Sequence, residues 1–218
     1  MYINLHTHLP TQNDIEIYNI DIRQPEIEKY PGYYSLGIHP WWIEQIDVDE
    51  MLAFIEVQMT DQNFLAIGEI GLDKLADTNF DLQVKVFKKQ AILAIKYAKP
   101  LIIHAVKTHF DIRQILNKMK FGQPVIFHGF NQNAHIAAGL NQPGNYFSLG
   151  TALLNENSNA ADFLKNADLT TIFFENDDKE TDIKHIYHAA SELLNVEINE
   201  LCKLIENNFK TIFLHERL

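Results

Sequence analysis

Eight short runs rich in β-branched and aromatic residues alternate with longer stretches of helical periodicity, and this alternation constrains the fold more than any other feature of the chain. The runs are residues 2–6 (YINLH), 15–20 (IEIYNI), 33–38 (YYSLGI), 64–70 (FLAIGEI), 100–104 (PLIIH), 123–128 (QPVIFH), 145–149 (NYFSL) and 170–175 (TTIFFE). Apolar spacing near 3.6 marks helices over 49–59, 80–98, 110–119, 133–142, 157–167, 182–194 and 198–213, with Asp49, Asn133 and Asn157 or Asn159 as expected caps. Strands alternating with helices specify an α/β fold, and eight of them specify a (β/α)₈ TIM-type barrel. The 218 residues suit one such domain over residues 1–218. One connection departs from the pattern. Only about eight residues separate the first two runs; at about 3.3 Å each they reach roughly 26 Å, enough to return along a strand but too few for a packed helix. The expected barrel is therefore trimmed near its first helix.

Chemistry concentrates at the ends of these strands. In "YINLHTHLP", His6 and His8 are separated by one residue, so on a strand they share a face. Further runs end on or near His39 (SLGIHP), His104 (PLIIHA) and His128 (PVIFHGF). Two more end in carboxylates, Glu69 and Asp73 in "AIGEIGLD" and Glu175, Asp177 and Asp178 in "TIFFENDD". A single histidine or carboxylate at a strand end is usually a hydrogen-bonded loop residue or a helix cap. The clustering is what that reading explains badly. In a (β/α)₈ barrel all carboxyl ends of strands gather on one face, where imidazole nitrogen and carboxylate oxygen suit Zn²⁺, Mn²⁺ or Mg²⁺. His109, His135, His185, His188 and His215 fall in helical or terminal segments and read as surface or packing residues.

Charge and cysteine usage narrow the classes. The net charge is −11, with three arginines against fifteen lysines, which disfavours non-specific gripping of long nucleic acid. Bound divalent ions would reverse the local sign, so a nucleotide substrate stays open. Cys202 is the single cysteine; it lies in the amphipathic run INELCKLIENNF and reads as a buried core thiol, which fits a reducing compartment. No basic-then-apolar leader and no apolar run of spanning length are seen, so a cytoplasmic, membrane-free monomer is expected.

With these residues in hand, the chain resembles the TatD family of metal-dependent deoxyribonucleases, within the amidohydrolase-like barrels. The matching stretches are "LHTHL", "SLGIHP", "AIGEIGLD", "DLQVKVFKKQAILAIKYAKPLIIH" with its QxxxFxxQ pattern, "VIFHGF" and "FFEND"; they run in the family's order from residue 3 to about 178, and "LCKLIENNFKTIF" resembles the closing helix. The resemblance implies two divalent metal ions (Mg, Mn or Zn). It assigns His6 and His8 to the first, Glu69 to a bridge between both, and His104 and His128 to the second metal or the substrate phosphate. Asp177 would bind the first metal and accept a proton from the attacking water, which makes Asp177 and Glu69 the catalytic pair. His39 is implied behind the metals or against phosphate. Several positions depart from the family pattern: Asn4 stands where Asp is common, Trp41-Trp42 where a polar residue is usual, Lys74 where Tyr is, and Lys107 in place of an arginine. The metal ligands are intact while the substrate contacts are rewritten.

The function this implies is metal-assisted hydrolysis of a phosphodiester in DNA, at single-stranded ends rather than in long duplex. Lys74 and Lys107 are candidates for phosphate contact, and Trp41, Trp42 and Phe130 for stacking on a base. One of the two tryptophans is equally suited to packing a helix. A small ester, amide or lactone is the alternative substrate on the same site, and a barrel used only for binding is the reading that a complete ligand set disfavours.

Overall fold

All eight runs become strands in the computed structural model, which describes residues 1–11 and 14–214. They are β1 (Ile3–Thr7), β2 (Ile15–Ile20), β3 (Tyr33–Leu36), β4 (Phe64–Asp73), β5 (Leu101–Val106), β6 (Val125–Phe127), β7 (Asn145–Leu149) and β8 (Ile172–Phe174). The helices are α1 (Val48–Gln58), α2 (Phe80–Tyr97), α3 (His109–Lys118), α4 (Ala134–Leu140), α5 (Asn159–Leu164), α6 (Ile183–Leu194) and α7 (Ile198–Phe209), the last running into a π turn over Lys210–Leu214. The strands form one eight-stranded sheet in chain order, and an isolated parallel bridge pairs Thr7, at the end of β1, with Asp177, three residues past β8. This is the (β/α)₈ barrel fold. Every residue of β4 is buried, as expected for a parallel strand covered on both faces.

The sequence pattern marks no helix before residue 49, and among the described residues α1 is the first α-helix. Among the described residues the β1–β2 connection holds no helix, and the β2–β3 connection holds only a 3₁₀ turn at Ile27–Lys29. Pro25 and Pro31 explain the second gap, since each removes a backbone donor and restricts the residue before it. Two caps also shift. Asp47, not Asp49, accepts the backbone N–H groups of Asp49 and Glu50, and Ser158, lying between the two expected asparagines, caps α5; Asn133 caps α4 as expected. His215 lies outside the described residues.

The chain divides into two compact units, residues 1–18 with 127–218 and residues 19–126. In the first, α6 and α7 bury one stripe each: Ile183, Ile186, Tyr187 and Ala190, then Leu201, Cys202, Ile205, Asn208 and Phe209. The Tyr187 hydroxyl accepts the Ile3 N–H (3.1 Å) and donates to the Ile3 carbonyl (3.0 Å), tying α6 to β1. Cys202 is buried, as its amphipathic setting predicts.

In the second unit the QxxxFxxQ pattern acquires a physical meaning. Phe87 is core, while both glutamines, buried on α2, clamp strand ends. Gln90 accepts the Ile38 N–H through Oε1 (2.7 Å) and donates to the Ile38 carbonyl through Nε2 (3.1 Å). Gln83 does the same for Asp73, at 2.8 and 3.0 Å, and also donates to the Thr78 carbonyl. Each amide satisfies backbone groups that the ladder leaves off where a strand becomes a loop. Replacing Gln90 with leucine strands the N–H and C=O of Ile38 in the interior, and we expect a stability loss of about 1–3 kcal/mol per stranded group. Urea unfolding of Gln90→Leu measures it; a midpoint equal to wild type would show that the clamp is idle.

Candidate metal centre

Within the first unit, β1 sends His6 and His8 to one side, as the two-residue period requires, and their rings meet edge to face at 5.0 Å. Asp177 joins them through the backbone rather than through sequence proximity. Its N–H donates to the His6 carbonyl (3.1 Å), and its own carbonyl accepts the His8 N–H (2.9 Å). This ladder aims the carboxylate at both imidazoles: Asp177 Oδ1 lies 3.5 Å from His6 Nε2 and 3.6 Å from His8 Nε2. Asp177 has a φ of +56°, a left-handed conformation that aspartate tolerates better than most residues and that often marks functional positions. Buried Asn4 and Asn176 brace the same junction. Asn4 donates to Asn176 Oδ1 (2.9 Å) and accepts the Asn176 N–H (3.1 Å). The His128 ring lies 4.4 Å from that of His6.

Within the second unit, Glu69 on β4 and His104 on β5 face each other across neighbouring strands, with His104 Nδ1 2.8 Å from Glu69 Oε1. Gly71 makes this approach possible: a Cβ there would stand 1.8 Å from the His104 carbonyl oxygen. On its other side, His104 Nε2 lies 3.2 Å from Asp73 Oδ2. A neutral imidazole carries one N–H and can donate to only one of these two carboxylates.

His39 takes a supporting position. Its Nδ1 accepts the Trp41 N–H (3.2 Å), which leaves the ring proton of the neutral form on Nε2, 3.4 Å from Glu69 Oε1. Trp41, 48% exposed, donates its indole N–H to Asp73 Oδ2 (2.8 Å). Burial pushes the Asp73 carboxyl up, but the Trp41 indole, the Leu75 N–H and His104 outweigh it and hold the group below its ordinary value. Trp42 carries the Arg23 guanidinium 3.7 Å above its ring.

Among the described residues, three groups with members inside one unit offer ligand atoms within 4.8 Å of one another: His6, His8 and Asp177; His39, Glu69 and His104; and His128, Glu175 and Asp177. Imidazole and carboxylate donors, half of them buried and half partly exposed, fit a divalent ion of the zinc, manganese or magnesium kind.

Other expected contacts read differently in the structure. Phe130 is 1% exposed; its backbone N–H donates to the Ser148 carbonyl, so the residue runs beside β7 and its ring joins Phe147 and Phe163 in the core. It cannot stack on a base. Lys74 is paired with Asp111 at 2.7 Å, whereas Lys107 is exposed in a left-handed turn. Sequence reasoning noted Asp73 and Glu175 as strand-end acids without giving either a task. Both hold histidines: Asp73 faces His104, and Glu175 Oε1 lies 3.2 Å from His128 Nδ1. Their place next to Glu69 and Asp177 in the GEIGLD and FFEND stretches was the available signal. Of the remaining histidines, His135, His185 and His188 are exposed.

His109 is buried, and burial, aided by the nearby His104, pushes its imidazole down to about 4. The unfolded chain takes up this proton near the ordinary value of 6.5, so between 6.5 and 4 the unfolded state binds more protons and stability falls as pH falls. We expect the stability advantage of wild type over His109→Gln in urea unfolding to shrink as pH is lowered through that window. An advantage constant with pH would contradict a buried neutral His109.

Comparison with known proteins fits this geometry. The family model for "TatD related DNase" matches residues 11–214. An uncharacterized metal-dependent hydrolase of Mycoplasma genitalium, MG009, is 29% identical over 212 residues, covering 86% of this chain and 81% of the relative. Another, MJ1582 of Methanocaldococcus jannaschii, is 31% identical over 124 residues, covering 57% of this chain but only 48% of its own length. Among solved structures, the TatD homolog YjjV from Escherichia coli superimposes with a TM-score of 0.84 at 21% identity, covering 98% of both chains. A TatD-family hydrolase from Entamoeba histolytica gives 0.81 at 16% identity, covering 99% and 98%. With strand-end histidines and acids drawn together as described and a family model matched along nearly its whole length, the chain belongs to the TatD related DNase family.

Proposed function

We propose that this protein is a metal-dependent hydrolase that holds two divalent ions (Mg, Mn or Zn) and cleaves phosphodiester bonds of DNA at single-stranded ends. The observation that carries the reading is the convergence of His6, His8 and Asp177, residues 171 positions apart at the extremes, with both imidazole Nε2 atoms within 3.6 Å of one carboxylate oxygen. One ion belongs with His6, His8 and Asp177, and the other with Glu69 and His104; His128 serves the second ion or the substrate phosphate. When bound, such ions lower the pKa of a coordinated water from ~15.7 toward ~7 and stabilise charge on the attacking and leaving oxygens.

The chain's own groups supply the rest. Asp177, about one third exposed and carrying a carboxylate oxygen turned toward both imidazoles, accepts the proton of the attacking water. Glu69, buried beside His104, fixes its ion in position, and His39 orients Glu69 from behind. Trp41, 48% exposed with its indole N–H anchored on Asp73, is the aromatic side chain placed to stack on a terminal base, and Lys107 is a point charge for phosphate. A cytoplasmic monomer is the working assignment; among the described residues no helix is long and apolar enough to cross a membrane.

A second reading, hydrolysis of a small ester, amide or lactone, is favoured by one observation: Phe130 is committed to the core, which removes one of the expected nucleotide contacts. Purified protein loaded with Mn²⁺ or Mg²⁺ and offered single-stranded oligonucleotides beside a panel of carboxyl esters separates the two. We expect oligonucleotide cleavage that EDTA abolishes and Mn²⁺ restores. Asp177→Asn should lower kcat by about 10²–10⁴-fold, the usual contribution of a positioned general base. Ester cleavage with every oligonucleotide intact would establish the second reading instead.

A further inference from the structure

Trp41 and Phe110 are the two most exposed of the Phe, Tyr and Trp side chains among the described residues, and only Trp41 enters the proposed function. Phe110 belongs to α3, whose buried stripe is His109, Ile112 and Leu116. Its ring lies off that stripe and is 38% exposed, so the core does not call for an aromatic at this position. A solitary surface phenylalanine would be ordinary. This one heads a groove of about 530 Å³ along the outer face of the helix, where Arg113, Gln114, Asn117 and Lys118 follow it at helical spacing and Asp111 flanks it. The Arg113 guanidinium stands 5.3 Å from the centre of the Phe110 ring. Lys74 lies 2.7 Å from Asp111 and offsets the one carboxylate.

Charge sets this stretch apart. Between residues 107 and 120 four cations, Lys107, Arg113, Lys118 and Lys120, stand against Asp111 alone, in a chain whose net charge is −11. Lys107 is exposed in the left-handed turn that joins β5 to α3, three residues after His104. From Phe110 to Lys118 the helix rises about 12 Å, and a stacked strand carries a phosphate every ~3.4 Å, so the face spans roughly three nucleotides. An aromatic platform beside an arginine, amides within reach of base edges and a row of cations together suit a single nucleic-acid strand. An acidic peptide would use the cations and leave the ring idle.

From this arrangement we propose that the outer face of α3 is a subsite for single-stranded DNA. Phe110 stacks on a base, while Lys107, Arg113 and Lys118 contact phosphates of the strand that trails from the hydrolytic site. That this strand is the substrate rests on the function proposed above; the binding itself does not.

Binding measured without turnover tests it. Fluorescence anisotropy of a labelled six-nucleotide thymidine strand, titrated with the full chain in EDTA so that no strand is cut, should report binding by wild type. Phe110→Ala should bind roughly 5- to 150-fold more weakly, the worth of one stacked base. In Arg113→Gln the slope of log affinity against log salt should flatten by about 0.7, the share of one phosphate contact on a single strand. No binding by wild type, a wild-type affinity in Phe110→Ala or a wild-type slope in Arg113→Gln would each overturn the proposal. So would a poly-glutamate peptide of equal charge that displaces the strand mole for mole, which would make the face a site for acidic protein. Wild type that cleaves no oligonucleotide with Mn²⁺, yet binds the strand through Phe110, would refute the hydrolysis and leave the subsite standing. Cleavage by wild type with binding unchanged in both variants would do the reverse.

Discussion

The two backbone hydrogen bonds between β1 and Asp177 are the constraint on which the candidate centre depends. His6 and His8 are placed by the period of a strand, but nothing local brings an aspartate from the far end of the chain to them. The ladder does so by treating residue 177 as an extension of the sheet, bridged to Thr7. A backbone position is far stiffer than a side-chain one. The carboxylate is therefore held beside two imidazoles before any ion arrives, and the price is a left-handed residue. The Asn4–Asn176 pair and the Tyr187 hydroxyl on Ile3 reinforce the same junction from the buried side.

The second unit solves the same problem by other means. Its functional side chains sit where strands turn into loops, and there the sheet no longer supplies hydrogen-bond partners. Two glutamines on α2 supply them instead, one at Ile38 beside His39 and one at Asp73 beside Lys74. Helix α2 thus fixes the register of two strand ends at once, while the absence of a side chain at Gly71 lets β5 bring His104 against Glu69. Rigid elements hold the donors, and the loops that follow are left free to differ.

Much of this was legible in the sequence because periodicity and strand-end chemistry are local signals. The eight strands, seven helices, the HxH pair and the acids of GEIGLD and FFEND are each readable from a few neighbouring residues. The misreadings share a different cause. Phe130 follows a strand-end histidine and looked like a loop aromatic; only its pairing with Ser148 reveals that the chain stays beside β7 and turns the ring inward. Asp73 and Glu175 were visible as carboxylates, yet their tasks depend on which histidine lies opposite, and that is decided by strand order.

The central claim is that His6, His8 and Asp177 form a cation site built by backbone pairing. Anomalous scattering from crystals soaked in Mn²⁺ addresses it directly, because the signal locates each ion and names its ligands together. The account predicts an ion bonded to both imidazoles and the Asp177 carboxylate. Manganese found only elsewhere, or none bound in crystals whose His6, His8 and Asp177 keep the geometry described, would contradict it.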